Sequence, residues 1–242
     1  MTASKYSEIR FLPDETIDPF MDGRLRIIQS KTGYRFSIDA ILLSDFVTIK
    51  KKDTVVDLGT GCGVIPLSLL ISKSLKHIYC IEIQPELAFQ AMRNANLNKL
   101  DDKMSVILGD MRNLPLPASS VNVVVCNPPY RRKESGRINH DQQRAIARHE
   151  IHASLDDIIN ASKYLLGIKG RLAIIYPAER LTDLIDKLKR AGFEPKKLRA
   201  IYPDMGANAK LVLVEAWSGG KSGLTILPPL IGQGDYSIVN QV

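Results

Sequence analysis

The sequence predicts an α/β fold built on a mostly parallel sheet, and three observations carry that prediction. Short, nearly continuous apolar runs recur at 54–58, 77–82, 104–108 and 121–126, as strands buried on both faces require. Segments of helical periodicity separate several of these runs, which is the alternation of βαβ units. The first run passes straight into Gly59-Thr60-Gly61-Cys62-Gly63 and then into a helix, the strand–turn–helix geometry of a nucleotide-type cofactor loop. At 242 residues the chain fits one domain, long enough to cover both faces of such a sheet.

Residues 1–36 read as an N-terminal extension holding a β-hairpin. Pro13, Pro19, Gly23 and Gly33 punctuate it, and Leu25-Arg26-Ile27-Ile28-Gln29 is strand-like. The main domain is expected over 37–217. It opens with a helix N-capped by Ser37, with Ile38, Ile41, Leu42 and Phe46 on one face. Thr54-Val55-Val56-Asp57-Leu58 is a buried parallel strand, and Val64 to Ile71 is the helix after the glycine turn, with Pro66 tolerated in its first turn. His77 to Glu82 is the next strand and Pro85 to Asn98 the next helix; Met104 to Leu108 is a third strand and Val121 to Cys126 a fourth.

Ser154-Leu155-Asp156-Asp157 is a capping signature for a helix through Leu166, ended by Gly167 and Gly170. Arg171 to Tyr176 follows as a strand, then a helix with Leu181, Leu184, Ile185 and Leu188 inward. Runs at 198–202 and 211–217 predict a closing hairpin, and the Gly- and Pro-rich stretch 218–242 a tail packed on or trailing the domain.

Composition excludes several classes. No apolar run approaches a membrane span and the N-terminus carries no signal-type apolar core, so the protein is expected in the cytoplasm. Cys62, Cys80 and Cys126 are odd in number and widely spaced, which argues against a disulfide framework and against a zinc site; they read as small buried residues, and no metal is expected. Net charge is +7, which points to a polyanionic partner such as nucleic acid.

The chemistry lies at the carboxyl ends of the strands. A dinucleotide loop G-x-G-x-x-G would need its third glycine where Val64 stands. The chain instead has G-x-G-x-G with Asp57 two residues before the first glycine. That suits S-adenosylmethionine, which has no phosphates: Asp57 would meet its ammonium, while Gly59, Gly61 and Gly63 let the backbone approach. Glu82 ends the next strand about 20 positions on, where a carboxylate binds ribose hydroxyls. Ile83 would flank the adenine, Asp110 would accept from its amine and Met111 would lie against the ring.

The fourth strand ends at Asn127-Pro128-Pro129-Tyr130. Two prolines stop it abruptly and leave an Asn amide, a proline carbonyl and a Tyr ring at the sheet's carboxyl edge. The Asn127 side-chain oxygen and the Pro128 carbonyl are two acceptors, and Tyr130 is a stacking face. Together they would hold a planar NH2, either a nucleobase amine or an amide nitrogen. The segment after it carries Arg131, Arg132, Lys133, Arg137, Arg144 and Arg148, cations suited to phosphates and expected to hold RNA. Lys196, Lys197 and Arg199 either extend this positive surface or are simply exposed.

This order of motifs resembles the class I S-adenosylmethionine methyltransferases, and the Asn-Pro-Pro-Tyr signature their amino-methyltransferase branch. Within it, Phe36-Ser37-Ile38-Asp39-Ala40-Ile41-Leu42-Leu43 and Ala147-Arg148-His149-Glu150 are similar to bacterial tRNA methyltransferases acting on adenosine 37 of a valine tRNA. The resemblance implies a Rossmann-like, seven-stranded, mostly parallel sheet with helices on both faces. It also implies Asp39 and Asn127 at the cofactor, a tRNA anticodon loop as partner, tRNA processing as the role and no membrane; a monomer is expected.

The implied reaction is direct methyl transfer to adenine N6, with Asn127 and Pro128 holding the amine hydrogens and Tyr130 stacking the extruded base. Asn127 is neutral and no general base. Three other readings share features of the chain. A release-factor-type glutamine methyltransferase also carries Asn-Pro-Pro-Tyr, but with a sizeable helical domain before the cofactor loop, where only 56 residues precede Asp57. A ribosomal RNA methyltransferase would share all the chemistry. A non-catalytic RNA-binding protein on a degenerate fold is opposed by the intact set Asp57, Glu82, Asp110 and Asn127.

Overall fold

The computed structural model describes residues 12–31, 38–128 and 153–232. In chain order the elements are β1 (Glu15–Phe20), β2 (Leu25–Ser30), α1 (Ile38–Phe46), β3 (Thr54–Leu58), α2 (Val64–Ser72), β4 (His77–Glu82) and α3 (Pro85–Leu97). After these come β5 (Met104–Leu108), β6 (Val121–Cys126), α4 (Leu155–Leu165), β7 (Leu166–Pro177), a 3-10 turn (Ala178–Arg180), α5 (Leu181–Arg190), β8 (Phe193–Tyr202) and β9 (Leu211–Ser218). Two short strands, β10 (Thr225–Ile226) and β11 (Leu230–Ile231), follow.

Seven strands run in the order β5-β4-β3-β6-β7-β9-β8, all parallel to their neighbours except β9, which is antiparallel to both β7 and β8. The side-chain alternation of the strands sorts two cores. Val55, Val123, Val125, Ala173 and Ile175 face α1, α2 and α3, whereas Val56, Leu58, Val124, Leu172 and Ile174 face α4 and α5. The order reverses between β3 and β6, whose residues Leu58 and Cys126 pair. At such a switch point the loops leaving the two strands diverge and open a crevice.

The β1/β2 hairpin is a separate two-stranded sheet held on α3. Buried Arg93 grips Glu15 with both terminal nitrogens, Asn98 bonds both backbone groups of Arg26, and Asn94 does the same for Ile28 at 2.7 and 3.1 Å.

Three sequence-based boundaries move. The strand expected from Arg171 begins at Leu166, directly after α4. Leu166 pairs with Val121 and Arg171 with Val123, so Gly167 to Gly170 form a bulge rather than a helix stop. A Cβ on Gly170 would lie 2.8 Å from that of Leu166. The strand expected from Leu198 begins at Phe193. Pro195 lacks an amide and marks a register shift there, which masks the alternation of buried Phe193 and Pro195 with Glu194 and Lys196. Finally, part of the tail joins the main sheet: β10 and β11 pair parallel to the edge strand β8. α4 has the capping box expected of it, Ser154 and Asp157 each bonding the other's amide. The proposed cap Ser37 lies outside the described residues. No helix among the described residues is long and apolar enough to cross a membrane.

Candidate active site

The glycine turn is bound to the strand beside it. Gly59 and Thr60 both donate their amides to the Ile81 carbonyl, at 2.9 and 3.1 Å. Gly59, Gly61 and Gly63 all have positive φ, but their surroundings differ. Around Gly59 (φ +74) a Cβ would meet nothing within 4 Å, so its backbone is open to close approach. At Gly63 (φ +89) a Cβ would lie 2.9 Å from Met104 Cε and 3.3 Å from Ala91 Cβ. Gly63, expected at the cofactor, therefore has a packing requirement: it seats the start of α2 against α3 and β5.

Asp57 is fully buried at the end of β3. Its Oδ2 accepts from Thr60 Oγ1 at 2.6 Å, while its Oδ1 is buried with no hydrogen-bond partner. Burial pushes its carboxyl up to about 7; the Thr60 hydrogen bond opposes this and the Glu82 charge adds to it. An orphaned carboxylate oxygen invites a cation. Glu82, also buried, is held by two amides: Gly61 N donates to Oε2 at 2.8 Å and Gln84 N to Oε1 at 3.0 Å. Each oxygen keeps a second lone pair for a hydroxyl.

Asp110 stands at the carboxyl end of β5. Arg112, which sequence reasoning passed over, forks onto it through Nε and Nη2 (2.9 and 2.5 Å to Oδ2), and its backbone amide adds a bond to Oδ1 at 2.8 Å. The carboxylate is thereby fixed in place. Ile83 and Met111 are half-buried. Met111 packs on the α4 side of the core and borders a cavity of about 390 Å³ between residues 111–114 and α4.

Asn127 and Pro128 follow β6, and Asn127 is half-buried. It borders a cleft with Ala40, Gly59, Thr60, Val64 and Ile65, which brings α1, the glycine turn and the end of β6 together. Asp39 is in the first turn of α1, next to Ala40 in that lining. Tyr130 and the cations Arg131, Arg132, Lys133, Arg137, Arg144 and Arg148 lie outside the described residues. Cys62, Cys80 and Cys126 are free thiols and buried. Burial holds the Cys126 thiol well above its ordinary range, and its Sγ bonds the Leu58 carbonyl at 3.3 Å, so it is an inert packing residue.

Lys197, read from sequence as part of the positive surface or simply exposed, is half-buried: its Nζ bonds the Phe46 carbonyl (2.8 Å) and Thr48 Oγ1 (2.9 Å), lies over the Phe46 ring and stands 3.6 Å from buried Glu215. Asn94, on the inner face of α3, went unnoticed among its alanines. Its Nδ2 donates to the Cys62 carbonyl at 2.9 Å while the same amide holds Ile28, so one buried side chain ties the glycine turn to the N-terminal hairpin.

Residues 37–188 match the methyltransferase small domain family. The chain belongs to that family. It is a methyltransferase with S-adenosylmethionine as methyl donor. The residues present fit that cofactor, with an unpartnered buried carboxylate oxygen on Asp57, open backbone at Gly59 and a preset acid at Glu82. The chain is 32% identical over 175 residues to a tRNA1(Val) (adenine(37)-N6)-methyltransferase of Porphyromonas gingivalis, covering 69% of this chain and 68% of the relative. It is 26% identical to proteins of that name from Aliivibrio salmonicida (76% and 77% covered) and Parabacteroides distasonis (81% and 82%). Among solved structures it is similar in fold to a predicted O-methyltransferase from Agrobacterium tumefaciens, with a TM-score of 0.64, 22% identity and 80% and 86% coverage. It also shares its fold with a geranyl diphosphate C-methyltransferase from Streptomyces coelicolor solved with S-adenosyl-L-homocysteine (TM-score 0.55, 14% identity, 74% and 78% coverage).

Proposed function

We propose that this protein methylates the exocyclic N6 amine of an adenosine in tRNA, with adenosine 37 of a valine tRNA as the site. The observation that carries the reading is the position of Asn127 and Pro128. They leave β6 at the switch point, and Asn127 shares a cleft with the glycine turn. Relatives that act on that nucleotide by name support the choice of substrate.

The bound cofactor supplies an electrophilic methyl group on a sulfonium. The chain's own residues handle the acceptor. An adenine amine is a weak nucleophile because its lone pair is delocalised into the ring. The Asn127 side-chain oxygen accepts one of its hydrogens and the Pro128 carbonyl the other, which favours a pyramidal nitrogen aimed at the methyl group. This is positioning and electrostatic stabilisation. The methyl group would come from the sulfonium of the bound cofactor to this nitrogen, whose proton would leave to solvent, since the neutral Asn127 amide is no base.

Labelled S-adenosylmethionine, offered with unmodified tRNA transcripts, ribosomal RNA and a release-factor fragment in parallel, tests the reading. N6-methyladenosine in the valine transcript alone is the expected product. Methylglutamine in the protein fragment would overturn the substrate while keeping the amine site.

A further inference from the structure

We infer that the amino-terminal end of the sheet, opposite the catalytic end, is a second RNA surface that holds the phosphate backbone of tRNA outside the target loop. The inference rests on the tRNA reading and extends it. Register places the starts of β3, β4 and β5 level, with Thr54 opposite His77 and Ile78 opposite Met104. The loops before them are joined by Lys76 N to the Asp53 carbonyl (2.8 Å) and Ile78 N to the Lys103 carbonyl (2.9 Å). Exposed Lys50, Lys51, Lys52, Lys76, Lys99 and Lys103 thus gather from three separate chain segments.

None of these six makes an ion pair among the described residues, whereas Arg112, Arg180, Lys187, Lys189 and Arg190 near α4 and α5 each have a carboxylate partner. Local acids do not cancel the six lysines. Asp53 is buried and bound to Arg171, exposed Asp45 faces Lys73, and Asp101 and Asp102 are the exposed acids beside Lys99 and Lys103. Like charges crowded without partners are what a polyanion site requires.

Lysines bind phosphate as point charges and carry no base readout, so the surface fixes RNA without reading it. It lies a strand length, roughly 15–20 Å, from the catalytic end. A partner touching both ends must therefore present phosphates at least that far from the target base.

The test uses the full chain carrying Lys50→Gln, Lys51→Gln and Lys52→Gln, with Lys76→Gln/Lys103→Gln as an independent pair. Binding of a whole tRNA transcript and of a short hairpin bearing the target loop is followed by fluorescence anisotropy across a salt series. For the whole tRNA the triple change should lower the slope of log affinity against log salt by about two to three, and affinity by roughly tenfold or more at ~0.1 M salt. Hairpin binding and cofactor affinity should stay as in wild type, the latter serving as the folding control. Equal losses on both RNAs, or no change on either, would overturn the inference. So would lysine-dependent binding to phosphatidylserine vesicles with the tRNA slope unchanged. If the wild-type chain binds neither RNA, the tRNA reading itself fails; if it binds tRNA and both variants match it, the second surface alone fails.

Discussion

The amide of Gly61 donates to Oε2 of Glu82 at 2.8 Å, across 21 residues of sequence. The glycine turn and the acid at the end of β4 are therefore one preassembled unit, and Gln84 N fixes the other carboxylate oxygen. A cofactor held by Glu82, as proposed, would meet a carboxylate whose orientation is already set, which lowers the ordering cost of binding.

Glu82→Gln tests this unit. A glutamine amide presents one oxygen and one NH2, so it can satisfy either Gly61 N or Gln84 N but sets a donor against the other. Hydrogen bonds to charged groups contribute about 1.5–3 kcal/mol. Titration calorimetry should show S-adenosylmethionine binding weakened by roughly tenfold or more, and unaltered affinity would refute the role.

Asn127→Ala separates chemistry from cofactor binding. Removing one preorganised polar group at a reacting centre costs on the order of 100-fold or more in rate. Single-turnover methyl transfer should fall by at least that much while the cofactor dissociation constant stays within about twofold. Loss of cofactor binding instead would mean that Asn127 serves the cofactor and not the amine.

With Asp57 placed at the cofactor ammonium, as proposed, cofactor binding should depend on pH. Its folded-state value of about 7 lies above the ordinary carboxyl value of 3.8, mainly through burial. Between those values the folded chain binds the extra proton, so the Asp57 contribution to apo stability declines as pH rises from about 4 to 7. A cofactor ammonium beside Oδ1 favours the ionised form. Affinity should therefore fall about tenfold per pH unit below 7 and level off above it, with proton release on binding near pH 6. Calorimetry in buffers of different ionisation enthalpy measures both, and Asp57→Asn should abolish the release.

Asn94→Ala should unsettle two regions at once. It leaves the Ile28 amide, the Ile28 carbonyl and the Cys62 carbonyl without their buried partner. Urea unfolding should show a loss of about 3 kcal/mol. Asn94→Asp keeps the acceptor for Ile28 N but not the two donated bonds. With its buried carboxylate set against the Ile28 and Cys62 carbonyls, it should be no more stable than the alanine variant.

Much of the frame is legible from sequence because it is written in local patterns. The runs at 54–58, 104–108 and 121–126 are strands with those bounds, and Asp57, Glu82, Asp110 and Asn127 each stand at the carboxyl end of a strand as their spacing implies. What escapes is long-range. Asn94 earns its place through partners 32 and 66 residues away. Lys197 looks like one more surface cation until its contacts with Phe46 and Thr48, about 150 residues upstream, are seen. The lysine cluster before β3, β4 and β5 is invisible in sequence because register, not proximity along the chain, assembles it.

The short strands β10 and β11 bear on how this protein behaves in crowded solution. Strand β8 forms one border of the sheet, and its outer backbone groups would otherwise be a template for strands of other molecules. Leu227 N bonds the Leu198 carbonyl at 2.8 Å and Gly232 N the Tyr202 carbonyl at 2.9 Å, so the chain occupies that border itself. Pro228 and Pro229, between the two contacts, have no amide to offer a further strand. Cutting the chain after Ser218 would leave the methyl-transfer machinery in place and uncover an adhesive rim, so clumping should precede any loss of catalysis.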